Sequence, residues 1–153
     1  MEKENYVARR AELSDLEILV SFAVQEAKEA EGIELSLENV RRGISSALAN
    51  DSLGRFLVLT QDNEEVIGNV SIIREWSNWN GGYYWWIQSL FILPEFRGKG
   101  LIQKLIDAVK VEAHRGGAID LRRYVHGKNE RAIKAYHKAG FSESRYRIMR
   151  MSI

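Results

Sequence analysis

From Tyr83 to Val125 the sequence reads as a strand, a helix and a second strand in immediate succession. Tyr83 to Ile92 is dense in aromatic and β-branched residues, which suit a pleated, half-buried surface. Pro94 ends that run. Gly100 to Arg115 then carries Leu101, Leu105 and Val109 on one helical face, and Gly116-Gly117 stops it. Ile119, Leu121, Arg123 and Val125 alternate with Asp120, Arg122 and Tyr124, as a strand does. Such a crossover commits the chain to a sheet with a helix laid across its face.

The remaining segments supply the rest of the sheet. Tyr6 to Arg10 is a short first strand. Ser14 opens a helix, with Ser14 and Glu17 as a capping box and Leu13 and Ile18 as a hydrophobic staple. Leu16, Leu19, Val20, Ala23, Val24 and Ala27 form its inward stripe. The acidic residues Glu26, Glu29, Glu31 and Glu34 read as a solvated helix end, the alternative being an attractor for a cationic amine. Ser36 caps a second helix with Val40, Ile44, Ala47 and Leu48 inward. Arg55 to Thr60 and Val66 to Arg74 make a hairpin about the turn at 61–64. Trp76 to Gly82 is a polar-aromatic loop. Asn129 starts a last helix that Gly140 ends, and Tyr146 to Met151 reads as a closing strand. The whole, residues 1–153, is expected to be one α/β domain with a mixed sheet and helices on its faces.

Composition narrows the chemistry. There is no cysteine, so disulfides, thiolate nucleophiles and zinc–sulfur sites are excluded, and a cytoplasmic location is expected. The net charge is +1, which offers neither a nucleic-acid surface nor a polybasic membrane anchor. The charged start Met1-Glu2-Lys3-Glu4 leads into no apolar run, and no stretch nears the roughly 18 apolar residues of a spanning helix. His114, His126 and His137 lack ligand spacing, and no metal is expected.

The informative motif follows the central strand: Leu90-Phe91-Ile92-Leu93-Pro94-Glu95-Phe96-Arg97-Gly98-Lys99-Gly100-Leu101. A helix N-terminus presents unpaired N–H groups and a positive dipole end, which suits a pyrophosphate. Glycines allow close backbone approach, and Arg97 and Lys99 add positive charge. Neither the dinucleotide fingerprint nor a Walker loop is present, and an ordinary basic turn is the plainer reading of the loop alone. Further on, Asn129 and Tyr136 stand two helical turns apart on one face. By themselves they read as an N-cap and a core aromatic.

Taken together, Arg97-x-x-Gly100 between strand and helix, then N-x-x-A-x-x-x-Y-x-x-x-G-F from Asn129 to Phe141, resemble the GNAT superfamily of acetyltransferases. The element order is similar along nearly the whole chain. Glu75-Trp76-Ser77-Asn78-Trp79 and Trp85-Trp86-Ile87-Gln88-Ser89 also resemble a poorly characterised bacterial subgroup with a Trp-rich fourth strand. The resemblance implies a mixed, mostly antiparallel sheet of about six or seven strands with helices on both faces, the fourth strand splayed from the fifth. It implies acetyl-CoA as acyl donor, its pantetheine arm along Leu90, Phe91 and Ile92. Its pyrophosphate would lie on the loop Arg97, Gly98, Lys99, Gly100, Leu101 and Ile102. Asn129 matches the residue contacting the pantetheine arm, and Tyr136 the tyrosine near the sulfur.

Two departures stand out. Ile102 occupies a position where the family usually has glycine or alanine. The family's usual glutamate is absent at Trp86, Gln88 and Tyr124, so no general base is visible. Gln88 can hold a water or the substrate but cannot take a proton. The oxyanion donor is expected as a backbone N–H near Phe91 or Ile92, and Tyr136 as proton donor to the leaving thiolate. Trp76, Trp79 and Trp86 are expected to line the acceptor pocket, though the loop tryptophans could equally form a homodimer surface. Which of Trp85 and Trp86 faces the cleft stays open. The expected reaction is acetyl transfer to a primary amine of a small molecule by direct attack in a ternary complex. The alternatives are transfer to a protein lysine or N-terminus, and a non-catalytic acyl-CoA sensor.

Overall fold

The computed structural model describes residues 3–153. Its elements are β1 (Tyr6–Arg10), α1 (Leu16–Glu31), α2 (Leu37–Ala49), β2 (Arg55–Gln61), β3 (Glu65–Ser77), β4 (Gly82–Ile92), α3 (Leu101–Arg115), β5 (Leu121–Arg123) and α4 (Glu130–Lys138). The strands form one sheet in chain order. The first three pairings are antiparallel and β4–β5 is parallel, as the α3 crossover requires.

Alternation along the strands feeds two helix layers. Leu57 and Leu59 of β2 join Leu101, Leu105, Ile106 and Val109 of α3 in one core. Val58 between them points the other way, to Leu19 and Val20 of α1 and Ile44 of α2. Helices therefore cover both faces, as expected. Trp85 lies under α3, so close that a Cβ on Gly116 would come within 2.6 Å of its ring. Trp86 takes the opposite face and stacks on Tyr124 at 4.4 Å, which answers the question that alternation alone left open.

A bulge interrupts β4. Ser71 faces Ser89 and Ile72 faces Ile87, so Gln88 has no partner on β3. The extra residue changes parity: Trp85 and Ile87 before it, and Leu90 and Ile92 after it, all enter the α3 core.

Four expectations need correction. The sheet has five strands, not six or seven. Tyr146 to Met151 forms no ladder, and Ile148, Met149 and Met151 are 69%, 95% and 86% exposed. A strand pattern needs an edge to pair with, and this segment meets none within its own chain. The start of α1 also differs. A 3₁₀ turn, Leu13–Asp15, precedes it, and Leu13 is exposed, so the staple does not form. Asp15, not Ser14, organises the turn: its carboxylate accepts from the Glu12 N–H at 2.7 Å and from the Arg9 guanidinium at 2.8 and 3.0 Å. Finally, the expected loop 76–82 is shortened to the turn 78–81, with Trp76 and Ser77 in β3 and Gly82 in β4. Trp76 pairs across the ladder with Tyr83, the rings edge to face at 5.1 Å.

Candidate active site

The β4–β5 ladder ends early. It holds Trp85 to Leu121, Trp86 to Arg122 and Ile87 to Arg123, whereas β4 runs on to Ile92. Beyond the bulge the two strands part, as the resemblance implied. The N–H groups of Ser89 and Leu93 turn towards β3, onto Ser71 Oγ and the Ile67 carbonyl. By alternation the backbone of Leu90 and Ile92 turns into the gap, and that of Phe91 does not.

Side chains occupy these gap-facing groups. The Leu90 N–H donates to Glu26 Oε1 at 3.1 Å, and the Ile92 carbonyl accepts from Arg97 Nε at 2.9 Å. Arg97 also reaches Glu29 at 2.8 Å, and Lys99 reaches Glu4 at 3.2 Å. Both pairs are exposed to solvent, so each is weak and readily exchanged for a stronger anion.

The loop at the end of β4 leads through two glycines into the N-terminus of α3. Gly98 and Gly100 have φ of +80° and +74°, a region closed to most side chains. A Cβ at either would meet no atom within 4 Å, so conformation and not crowding calls for glycine. Gly100 is the N-cap of α3 and no side chain caps the helix. Leu101 is buried, and the Ile102 side chain packs against the α3 core.

α4 forms the other wall. Asn129 caps it, Oδ1 accepting from the Ala132 N–H at 3.2 Å. Tyr136, on the same face, meets Phe141 edge to face at 5.9 Å, with the Arg123 guanidinium 5.0 Å from its ring centre. Burial pushes the Tyr136 phenol above its usual range, against the pull of Arg123.

Gln88, Ser89, Asn129 and Tyr136 share one cleft of about 830 Å³ with residues that the sequence did not single out for it. Its floor holds Asn69 and Ser71, both buried. Asn69 Nδ2 donates to Ser89 Oγ at 3.3 Å, and its Oδ1 has no partner among the described residues. Glu26 and Arg123 also line the cleft. Their side chains are 22% and 12% exposed, with Arg123 Nη2 3.7 Å from Glu26 Oε1. Burial raises the Glu26 carboxyl, opposed by the Leu90 N–H and by Arg123. Glu26 is therefore no solvated helix end. Its signal was spacing: it continues the stripe Leu19, Phe22, Ala23 inward.

The expected acceptor residues do not all gather here. Trp76 and Trp79 stand at the far β3–β4 turn, 54% and 92% exposed, and neither lines the cleft. Trp86 meets it only through Tyr124. Among the described residues no three metal-binding side chains cluster, and no helix is long and apolar enough to cross a membrane.

Comparison with known proteins agrees with this geometry. A possible acetyltransferase from Clostridium difficile 630 superposes with a TM-score of 0.91 at 28% identity, over 97% of each chain. An aminoglycoside N-acetyltransferase solved in complex with CoA shares the fold, with a TM-score of 0.81 at 18% identity, over 99% of this chain and 97% of that one. The L-methionine sulfoximine/L-methionine sulfone acetyltransferase of Salmonella typhimurium LT2 is 29% identical over 94 residues, 61% of this chain. That match spans 54%, about half, of the relative's own length. The model of the acetyltransferase (GNAT) family matches residues 22–141. With the parted strands and glycine loop in place, this chain belongs to the acetyltransferase (GNAT) family.

Proposed function

We propose that this protein transfers the acetyl group of acetyl-CoA to a primary amine of a small molecule, by direct attack with both substrates bound. The observation that carries the reading is the gap between β4 and β5. It has an uncapped helix N-terminus at one end and, within it, the gap-facing Leu90 N–H, held by the Glu26 carboxylate. Loop 97–102 would hold the pyrophosphate on backbone N–H groups, and the edge of β4 at Leu90 and Ile92 the pantetheine arm.

An alkylammonium has no free lone pair, and its pKa of about 10 means a proton must leave at neutral pH. Attack on the thioester then builds an oxyanion. The Leu90 N–H is aimed at the gap and is the donor we assign to it; of the donors expected from sequence, the Phe91 N–H turns to β3 and the Ile92 N–H shares the gap. A phenol is protonated at neutral pH, and burial raises Tyr136 further, so it carries the proton that the leaving thiolate needs. Gln88, unpaired at the bulge, is free to orient the amine or a water.

Two features support a small acceptor over a peptide. The cleft's volume suits a metabolite, and its floor offers Asn69, Ser71 and Ser89 as polar contacts. The Salmonella relative's name, for a modified amino acid, and that of the aminoglycoside enzyme support an amine-bearing small molecule. Tyr124, backed by Trp86, is the aromatic contact we assign to the acceptor; Trp76 and Trp79 lie too far along the hairpin. A homodimer is supported by the open edge of β5 and the exposed apolar residues of 142–153. The test is thiol release from acetyl-CoA against a panel holding methionine sulfone, an aminoglycoside and a lysine peptide. Turnover with a small amine sustains the reading. Turnover with the peptide alone, or binding without any turnover, replaces it.

A further inference from the structure

The site so described has an acid, an oxyanion donor and a phosphate seat, but nothing yet to take the amine's proton. Among the described residues, Glu26 is the one carboxylate of the cleft that meets the gap-facing backbone of β4. It reaches over from α1, is mostly buried, and accepts the Leu90 N–H at 3.1 Å. Glu29 and Glu31 sit farther along the same helix, Glu29 tied to Arg97.

We propose that Glu26 is the proton acceptor for the attacking amine, held on the Leu90 N–H until the thioester carbonyl displaces it. This rests on the acetyl-transfer reading above. The geometric argument is proximity. A carbonyl oxygen accepting from Leu90 would stand about 2.9 Å from the nitrogen that Glu26 now contacts. A carboxylate pushed off that donor stays within reach of the reacting carbon, directly or through one water. The groups facing it are Arg123 from β5, at 3.7 Å, Tyr136 from α4 and Glu29 from its own helix. Arg123 keeps the carboxylate partnered once Leu90 is taken.

The protons balance. The ammonium gives one proton to Glu26, and the freed amine forms the new C–N bond. As the C–S bond breaks, the thiolate takes a proton from Tyr136, and the nitrogen gives its second proton to water. Re-equilibration with solvent restores Tyr136 and Glu26, leaving the amide, the free thiol and one released proton.

Displacement also has a consequence at binding. Losing the Leu90 hydrogen bond removes an influence that holds Glu26 down, so the carboxyl becomes more basic when acetyl-CoA binds.

The experiment has two arms. Calorimetry of acetyl-CoA binding in buffers of different ionisation enthalpy, across pH 5 to 7, should show proton uptake by the wild type and none by Glu26→Gln. Glutamine keeps an acceptor for Leu90, so affinity should change by no more than a few fold. In turnover, Glu26→Gln should lose about 10²–10⁴-fold in kcat, and its rate should lose the rise with pH that wild type shows. Equal proton uptake in both proteins, an unchanged pH profile, or a loss of affinity as large as the loss of rate would overturn the assignment. If Glu26→Gln does not fold, Glu26→Asp takes its place: a slower enzyme that keeps the pH limb supports the role, and one without it does not. Failure of the wild type to bind acetyl-CoA would sink the acetyl-transfer reading itself, a result distinct from all of these.

Discussion

Tyr136→Phe separates chemistry from packing at one atom. The ring is held by Phe141 at 5.9 Å and by Arg123 at 5.0 Å, and both contacts involve its carbons. Phenylalanine keeps them. Removing a part-buried hydroxyl costs about 0.5–1.5 kcal/mol, which for a domain of this length is a Tm change of a few °C. Against that, losing a general acid costs about 10²–10⁴-fold in rate, roughly 3–5 kcal/mol of barrier. The two effects differ enough to be read independently. Thermal unfolding gives the first, and single-turnover thiol release with an accepted amine gives the second. Affinity for acetyl-CoA should hold. The defect should shrink in alkaline buffer, where a thiolate leaves unprotonated more easily. Full activity at neutral pH, with chemistry rate-limiting, would refute the reasoning and leave Tyr136 as a packing residue.

Other substitutions test other parts. Asn129→Ala removes a cap seen in the structure, worth about 1 kcal/mol; a further loss of acetyl-CoA affinity, measured by thermal shift with and without ligand, would mark the amide's Nδ2 as a second, cofactor-facing role. Arg9 holds the Asp15 carboxyl below its usual value, helped by the Glu12 N–H. That stability is present above pH 4 and is lost as pH falls through the lowered value. Asp15→Asn should therefore cost about 1.5–3 kcal/mol at neutral pH, at the lower end because Arg9 is part-exposed, with the gap to wild type closing in acid unfolding curves. Pairing of two copies through β5 and segment 142–153 predicts twice the chain mass by light scattering, falling to one when that segment is removed.

Much of the layout was legible because periodicity and punctuation coincide. Gly116-Gly117 ends α3, Ser36 caps α2, and Asn129 caps α4 as read. What escaped was set by long-range geometry. The bulge at Gln88 leaves no mark in composition, yet it decides that Leu90 and not Phe91 faces the gap. Glu26 was hidden by its neighbours: among Glu29, Glu31 and Glu34 it looks like one more solvated charge, although its spacing from Leu19 and Phe22 is that of the core face. The last segment misled for the opposite reason. Tyr146, Ile148 and Met151 suit a strand, but propensity cannot supply a neighbour to pair with.

The account depends most on acetyl-CoA seating its pyrophosphate at the start of α3. Calorimetry on wild type, Gly100→Asn and Gly100→Asp tests this directly. Both variants carry the same strain at a φ of +74°, and neither side chain's Cβ meets another atom of the protein. Only the aspartate sets a negative charge against phosphate. At about 4 Å that repulsion is on the order of 1–4 kcal/mol, or roughly fivefold to several hundredfold in Kd. Binding of one acetyl-CoA per chain, weakened far more by aspartate than by asparagine, is the predicted result. Equal affinity for the two variants would contradict it.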